Sequence, residues 1–161
     1  MKIKSCSLLS LSAIAAAALV FAAGCKKSNS TPSSSLSVSI NGTAFTPARV
    51  DAFDYMGYLQ LTGYTIAGTD SSALYLQLDD TTSLNRAMDV SGVNDAQIQW
   101  TDKSVLYDSW NSYSHGTLTL TTFDKTNKKI SGTFTGVLYE NTGQDSVKVT
   151  GGQFSAVYIT P

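Results

Sequence analysis

Gly116–Ile159 reads GTLTLTTFDKTNKKISGTFTGVLYENTGQDSVKVTGGQFSAVYI. Leu118 and Leu120 alternate with threonines. Ile130, Phe134 and Leu138 share one parity, and Ser131, Thr133 and Thr135 the other. Val147 and Val149 flank Lys148, and Phe154, Ala156 and Tyr158 alternate with Gln153 and Ser155. A period of two places one face of each strand against a core and a hydroxyl-rich face toward water. Asp124–Asn127 and Asn141–Gln144 supply the turn residues between the strands.

The apolar parity switches from odd (Val147, Val149) to even (Phe154, Ala156, Tyr158) across Gly151-Gly152. A slip of one residue would turn every core side chain outward, so an inserted residue, a β-bulge, is expected at the glycine pair. The same reading across Gly63, from Leu59 and Leu61 to Tyr64 and Ile66, predicts a second bulge there.

Outward from this stretch, strands are expected at Leu36–Ile40, Arg49–Tyr55, Tyr58–Ile66, Leu74–Leu78, Ala96–Trp100 and Val105–Tyr107. Asn41-Gly42 is a strong hairpin signal, and Pro47 argues for a sheet edge. Gly68–Ser72 reads as a turn. Asp80–Val93 reads as a loop with a short strand or one helical turn near Leu84–Met88. Nine or ten strands at this spacing, without a sustained helical pattern, predict an all-β fold. The expected architecture is a single antiparallel β-sandwich or a barrel-like (lipocalin-like) domain.

The first 24 residues read as a targeting segment. Lys2 and Lys4 precede an apolar run from Leu8 to Ala23, which is short for a spanning helix. The ending Ala22-Ala23-Gly24-Cys25 resembles the lipobox of bacterial lipoproteins, with Ala22 where Leu is usual. That resemblance implies a diacylglyceryl group on Cys25 and cleavage before it. Cys6 lies in the discarded segment, so the mature chain keeps one cysteine and has no disulfide framework. Residues 25–35 then form a lipidated Cys and a Ser-rich tether, and residues 36–161 the β domain. Lys26 after the cysteine, rather than Asp, favours the outer membrane of the cell envelope; periplasmic and surface-facing orientations both stay open.

The segments Gly116–Leu120, Ile130–Phe134 and Thr150–Phe154 resemble those of a family of small uncharacterised bacterial envelope lipoproteins with a lipobox, a Ser-rich tether and one β domain. The resemblance implies architecture only and brings no catalytic residues.

Composition limits the chemistry. Charged residues make up 14% of the chain. From Leu36 onward, seven basic side chains face all twelve acidic ones, which leaves no basic footprint for nucleic acid. One histidine and no cysteine beyond Cys25 leave no zinc spacing. Asp79-Asp80, Asp51 with Asp54, and Asp102 with Asp108 offer oxygens for calcium but lie in no EF-hand pattern. No nucleophile elbow surrounds Ser109 near His115, and the single Glu140 gives little basis for a glycosidase pair. No enzyme, cofactor or metal site is expected.

The strongest candidate is Trp100–His115, WTDKSVLYDSWNSYSH. Aromatic faces beside hydrogen-bonding groups suit sugar rings and other amphipathic ligands. The expected contacts are Asp108, Trp110, Tyr113 and His115. The competing reading puts Trp100 and Tyr107 in the core, with the Trp110 loop folded back over the domain. The partners expected are the membrane, through Cys25, and a glycan, peptide, lipid or envelope protein. A binding module and an assembly component whose strand edge pairs with another protein are both open at this point.

Overall fold

The computed structural model describes residues 33–67, 70–91 and 96–161. The targeting segment, Cys25 and the start of the expected tether lie outside the described residues. The described chain forms eleven strands and no helix: β1 (Ser35–Ile40), β2 (Thr43–Phe45), β3 (Arg49–Tyr55), β4 (Tyr58–Ala67), β5 (Asp70–Asp79), β6 (Ala87–Asp89), β7 (Ala96–Asp102), β8 (Val105–Asp108), β9 (His115–Asp124), β10 (Lys129–Glu140) and β11 (Ser146–Val157). The short strand expected near Leu84–Met88 is β6, and no helical turn forms there.

Sheet order is β2-β1-β11-β10-β8-β7-β5-β4-β3, every pair antiparallel. β9 branches from β10, and β6 pairs with β9. β10 changes partner along its length. Residues up to Val137 face β9, while Tyr139 and Glu140 face β8.

The sheet curls without closing into a continuous barrel. Its free edge, β3, meets the chain after β11 through a parallel bridge between Phe53 and Ile159. Two hydrogen bonds make this seam: the Asp54 amide donates to the Ile159 carbonyl (2.9 Å), and the Ile159 amide to the Ala52 carbonyl (3.1 Å).

The alternating pattern becomes one core. Leu36, Val38 and Ile40 of β1 turn inward with Leu59, Leu61, Leu74, Leu76, Leu78, Ile98, Leu118, Leu120, Phe134, Leu138, Val149 and Phe154. Each such side chain stabilises the fold by about 1.5–3 kcal/mol relative to full exposure. Among the described residues every core side chain lies between Leu36 and Tyr158.

The glycines separate two cases that look alike in sequence. At Gly151 the expected bulge forms: Phe134 pairs with Gly152 but Gly136 with Val149, and Gly151 takes φ +61°. At Gly63 the expectation fails. Both flanking ladders run through it without a shift, from Arg49↔Tyr64 to Ala52↔Leu61 and from Tyr64↔Ala73 to Leu61↔Leu76. Gly63 continues the inward parity of Leu59 and Leu61, because a Cβ there would lie 2.4 Å from Leu36 Cδ2 and 2.9 Å from Pro47 Cγ. Tyr64 and Ile66 belong to the outer face, where the Tyr64 hydroxyl donates to Asp51 Oδ2 (3.2 Å).

β5 starts at Asp70, so Ser71 and Ser72 lie in a strand rather than in the expected turn. Gly68 and Thr69 fall outside the described residues. The Ser72 hydroxyl explains its place, donating to Asp102 Oδ1 across the β5–β7 ladder (2.8 Å).

Candidate ligand-binding end

The strand directions gather the loops into two ends. The β1–β2 turn (residues 41–42), the β7–β8 turn (103–104), the β10–β11 turn (141–145) and the β8–β9 loop (109–114) share one end. The start of β1, the β3–β4 turn (56–57), the β9–β10 turn (125–128) and the chain after β5 share the other.

The β8–β9 loop is built by buried polar groups. Asp108 Oδ1 accepts from the amides of Trp110 (2.9 Å) and Asn111 (3.1 Å), a local turn that aspartate forms readily. Ser109 is fully buried; its hydroxyl accepts from the Ile98 amide (3.1 Å), and its own amide donates to the Ile98 carbonyl (3.0 Å). The Ser114 hydroxyl donates to the Asp108 carbonyl (2.7 Å) and accepts from the Tyr139 amide (2.8 Å). Loop and strand ends are therefore stitched where β10 passes from β9 to β8.

The loop also lies against the β10–β11 turn. Asn111 Nδ2 donates to the Glu140 carbonyl (2.7 Å), and the Tyr113 ring stacks close enough to Gly143 that a Cβ there would lie 3.1 Å from it. Tyr113 and Tyr139 hold ring centroids 5.9 Å apart at 54°. On this frame Trp110 is 56% and Tyr113 66% exposed. Asp108, at 7% exposure, is spent on the loop's own amides. His115 is exposed at the start of β9, with Nδ1 3.2 Å from the Tyr113 carbonyl.

Sequence reading missed a neighbouring cleft of about 400 Å³. Its walls are the β1–β2 hairpin (Ile40, Asn41, Thr43, Ala44, Phe45) and Ser72, Trp100, Asp102, Tyr107 and Val147. Phe45 meets Trp100 edge to face, and Trp100 pairs with Tyr107 across the β7–β8 ladder. The Tyr107 hydroxyl donates to Asp145 Oδ2 (2.9 Å). Burial pushes the Tyr107 phenol above its ordinary value, and the Asp145 hydrogen bond adds to the shift. Trp100, 6% exposed, and Tyr107, 9% exposed, belong to the buried core, as the competing reading expects, and their aromatic content was legible in the sequence. Their meeting with Phe45 was not, because it needs β2 folded across the sheet edge.

Among the described residues no group of three or more His, Cys, Asp or Glu side chains is placed to hold a metal ion. The fold and this end define an antiparallel, barrel-like β domain with a cleft and two exposed aromatic side chains, Trp110 and Tyr113, at the same end. No protein-family profile matches the chain, and no curated protein or solved structure matches it.

Proposed function

We propose that the protein is an envelope lipoprotein anchored through Cys25, whose β domain is a non-catalytic binding module for an amphipathic ligand, with a glycan as the best-fitting class. The observation that carries this reading is the exposure of Trp110 and Tyr113 on one loop, at the same end of the domain as the cleft walled by Phe45 and the β1–β2 hairpin. The exposed aromatic faces of Trp110 and Tyr113 suit the apolar faces of sugar rings, while Asn41, Thr43, Ser72 and Asp102 bring polar groups to the cleft at the same end. The lipobox-like Ala22–Cys25 supports the lipid anchor, and Lys26 after the cysteine, rather than Asp, supports the outer membrane.

Thermal melting of the chain from Ser28 to Pro161 against glycans, peptidoglycan fragments, fatty acids and peptides tests the reading. A ligand at a hundredfold over its Kd adds about 2.7 kcal/mol, which moves the melting point by several degrees. The shift is expected with a glycan and is expected to vanish in Trp110→Ala or Phe45→Ala. No shift with any of the panel sinks the small-ligand reading.

A second reading has its own observation. β2 pairs only with β1 and leaves its outer edge, next to exposed Thr43 and Ala44, open for an added strand from another envelope protein. Pull-down that depends on β2, with no small-molecule shift, would favour it.

A further inference from the structure

Two hairpin tips at opposite ends of the domain make the same turn with different residues. Asn41-Gly42 takes φ +50° and +83°, and Met56-Gly57 takes φ +53° and +85°. Asn-Gly is the ordinary occupant of such a turn, because both central residues need positive φ and asparagine tolerates it. Methionine does not, and the domain gains no packing from it: Met56 is 79% exposed. Tyr55 and Tyr58 flank it, both about half exposed, and Phe53 and Ile159 extend the apolar surface along the seam. Lys103-Ser104, the β7–β8 turn, takes φ +46° and +76° without Asn or Gly, so the turn itself is not what sets the β3–β4 tip apart; its exposed apolar side chains are, and folding alone gives no reason for them.

Its position supplies one. β1 starts at Ser35 opposite Ser155, and β3 runs parallel to the chain after β11, so the β3–β4 tip lies at the end where the tether enters. The ligand-binding cleft lies at the other end. About ten residues separate Cys25 from β1, and ten residues reach at most about 35 Å when fully stretched. A lipid on Cys25 would hold the tip within that distance of the bilayer, where even weak interfacial contact is populated. Tyrosine rings favour the headgroup layer, with an apolar body and a wet hydroxyl. Lys125 and Lys128 on the β9–β10 turn, and Lys129 at the start of β10, share this end. Asp54, Asp80 and Asp124 share this end, so aromatic and apolar groups rather than net charge carry the contact.

We infer that the β3–β4 tip, Tyr55-Met56-Gly57-Tyr58, dips into the headgroup layer of the membrane that holds the tether, so that the domain stands on this end and presents its cleft away from the lipid. The inference rests on the membrane-anchored reading but not on the identity of the ligand.

The test replaces the lipid with an artificial tether, so that it does not depend on modification of Cys25. The chain from Ser28 to Pro161 contains every core residue among those described and no cysteine, so Met56→Cys and, as a control at the opposite end, Asn141→Cys each take a single environment-sensitive fluorophore. An N-terminal hexahistidine holds the protein on phosphatidylethanolamine–phosphatidylglycerol vesicles bearing a nickel-chelating lipid. The expected result is blue-shifted emission at position 56, quenched by shallow lipid-borne quenchers, with position 141 unchanged. Tyr55→Ser with Tyr58→Ser should reduce the shift at 56 without changing the melting point. Water-like emission at both positions, or equal shifts at both, overturns the inference. A shift at 56 that grows with protein concentration in the absence of vesicles also overturns it, because a second copy would then be the partner. Loss of lipid labelling at Cys25 in cells, with the vesicle result intact, would count against the anchor and not against the tip.

Discussion

Phe45 and Trp100 meet with ring centroids 4.8 Å apart and planes at 79°, an edge-to-face contact that fastens the β1–β2 hairpin to β7 and forms one wall of the cleft. Phe45 is half-buried at the sheet edge, so the contact holds a strand that has a ladder on one side only. Phe45→Ala is expected to cost about 1–2 kcal/mol, below the range for a fully buried phenylalanine, since part of the ring already faces water. Urea denaturation measures it. A loss smaller than a few tenths of a kcal/mol would mean that backbone pairing alone holds β2.

Asp108 separates a loop-shaping role from a charged contact. Asp108→Asn keeps an oxygen that can accept from the Trp110 and Asn111 amides, whereas Asp108→Ala leaves both amides without that acceptor. The Asn variant is expected to stay near wild type and the Ala variant to lose about 1–2 kcal/mol. If Asn also abolished ligand binding while melting normally, the carboxylate charge itself would be in use.

Ser114→Ala removes a hydroxyl that links the Asp108 carbonyl to the Tyr139 amide. The Tyr139 amide then loses its partner, at a cost of about 1–3 kcal/mol for a buried group. Hydrogen exchange should quicken at Tyr139 before it does in β5, whose ladders are intact on both sides. Uniform quickening would show that the loop unfolds only with the whole domain.

Gly116→Ala should be among the most damaging single-methyl changes. The new Cβ would sit 2.3 Å from the Thr135 carbonyl oxygen and 2.6 Å from Gly136 Cα, both backbone atoms fixed by the β9–β10 ladder. Overpacking of this kind costs about 1–3 kcal/mol. Gly42→Ala meets no atom within 4 Å, so its penalty is only that of positive φ. Equal losses in the two variants would show that β9 can move away from β10.

The pH range of stability follows from two sets of groups. Asp79, Asp89 and Asp124 hold their carboxyls below the ordinary 3.8: Asp79 mainly through the Thr81 hydroxyl, Asp89 through the Ser91 amide, and Asp124 through the Asn127 side chain. Depressed carboxylates contribute stability that is present above the unfolded-state pKa and is lost as pH falls through the lower folded value. Tyr75, Tyr107 and Tyr158 are raised above their ordinary 10.0, first of all by burial. Their contribution is full below the unfolded-state pKa and is lost as pH rises through the higher folded value. The melting point should therefore fall below about pH 4 and again above about pH 10. A flat profile on the alkaline side would mean that the three phenols ionise without opening the sheet.

The alternation of Leu118, Leu120, Phe134, Leu138, Val147 and Val149 determined the fold class, because a period of two has only one apolar face and that face must be buried. The parity switch at Gly151-Gly152 likewise fixed a bulge, since β10 and β1 both read β11 on either side of it. Gly63 gave the same local signal and meant something else: Leu36 and Pro47, distant in sequence, occupy the space that a side chain would need. The rim was legible as far as Trp110 and Tyr113, which one loop carries. The cleft was not, because Phe45, Trp100 and Tyr107 converge only once β2 lies over the edge of the curled sheet. Local sequence decides which way a side chain faces along its own strand. Which strands become neighbours, and so which aromatic rings share a cleft, is decided by long-range pairing that no single stretch encodes.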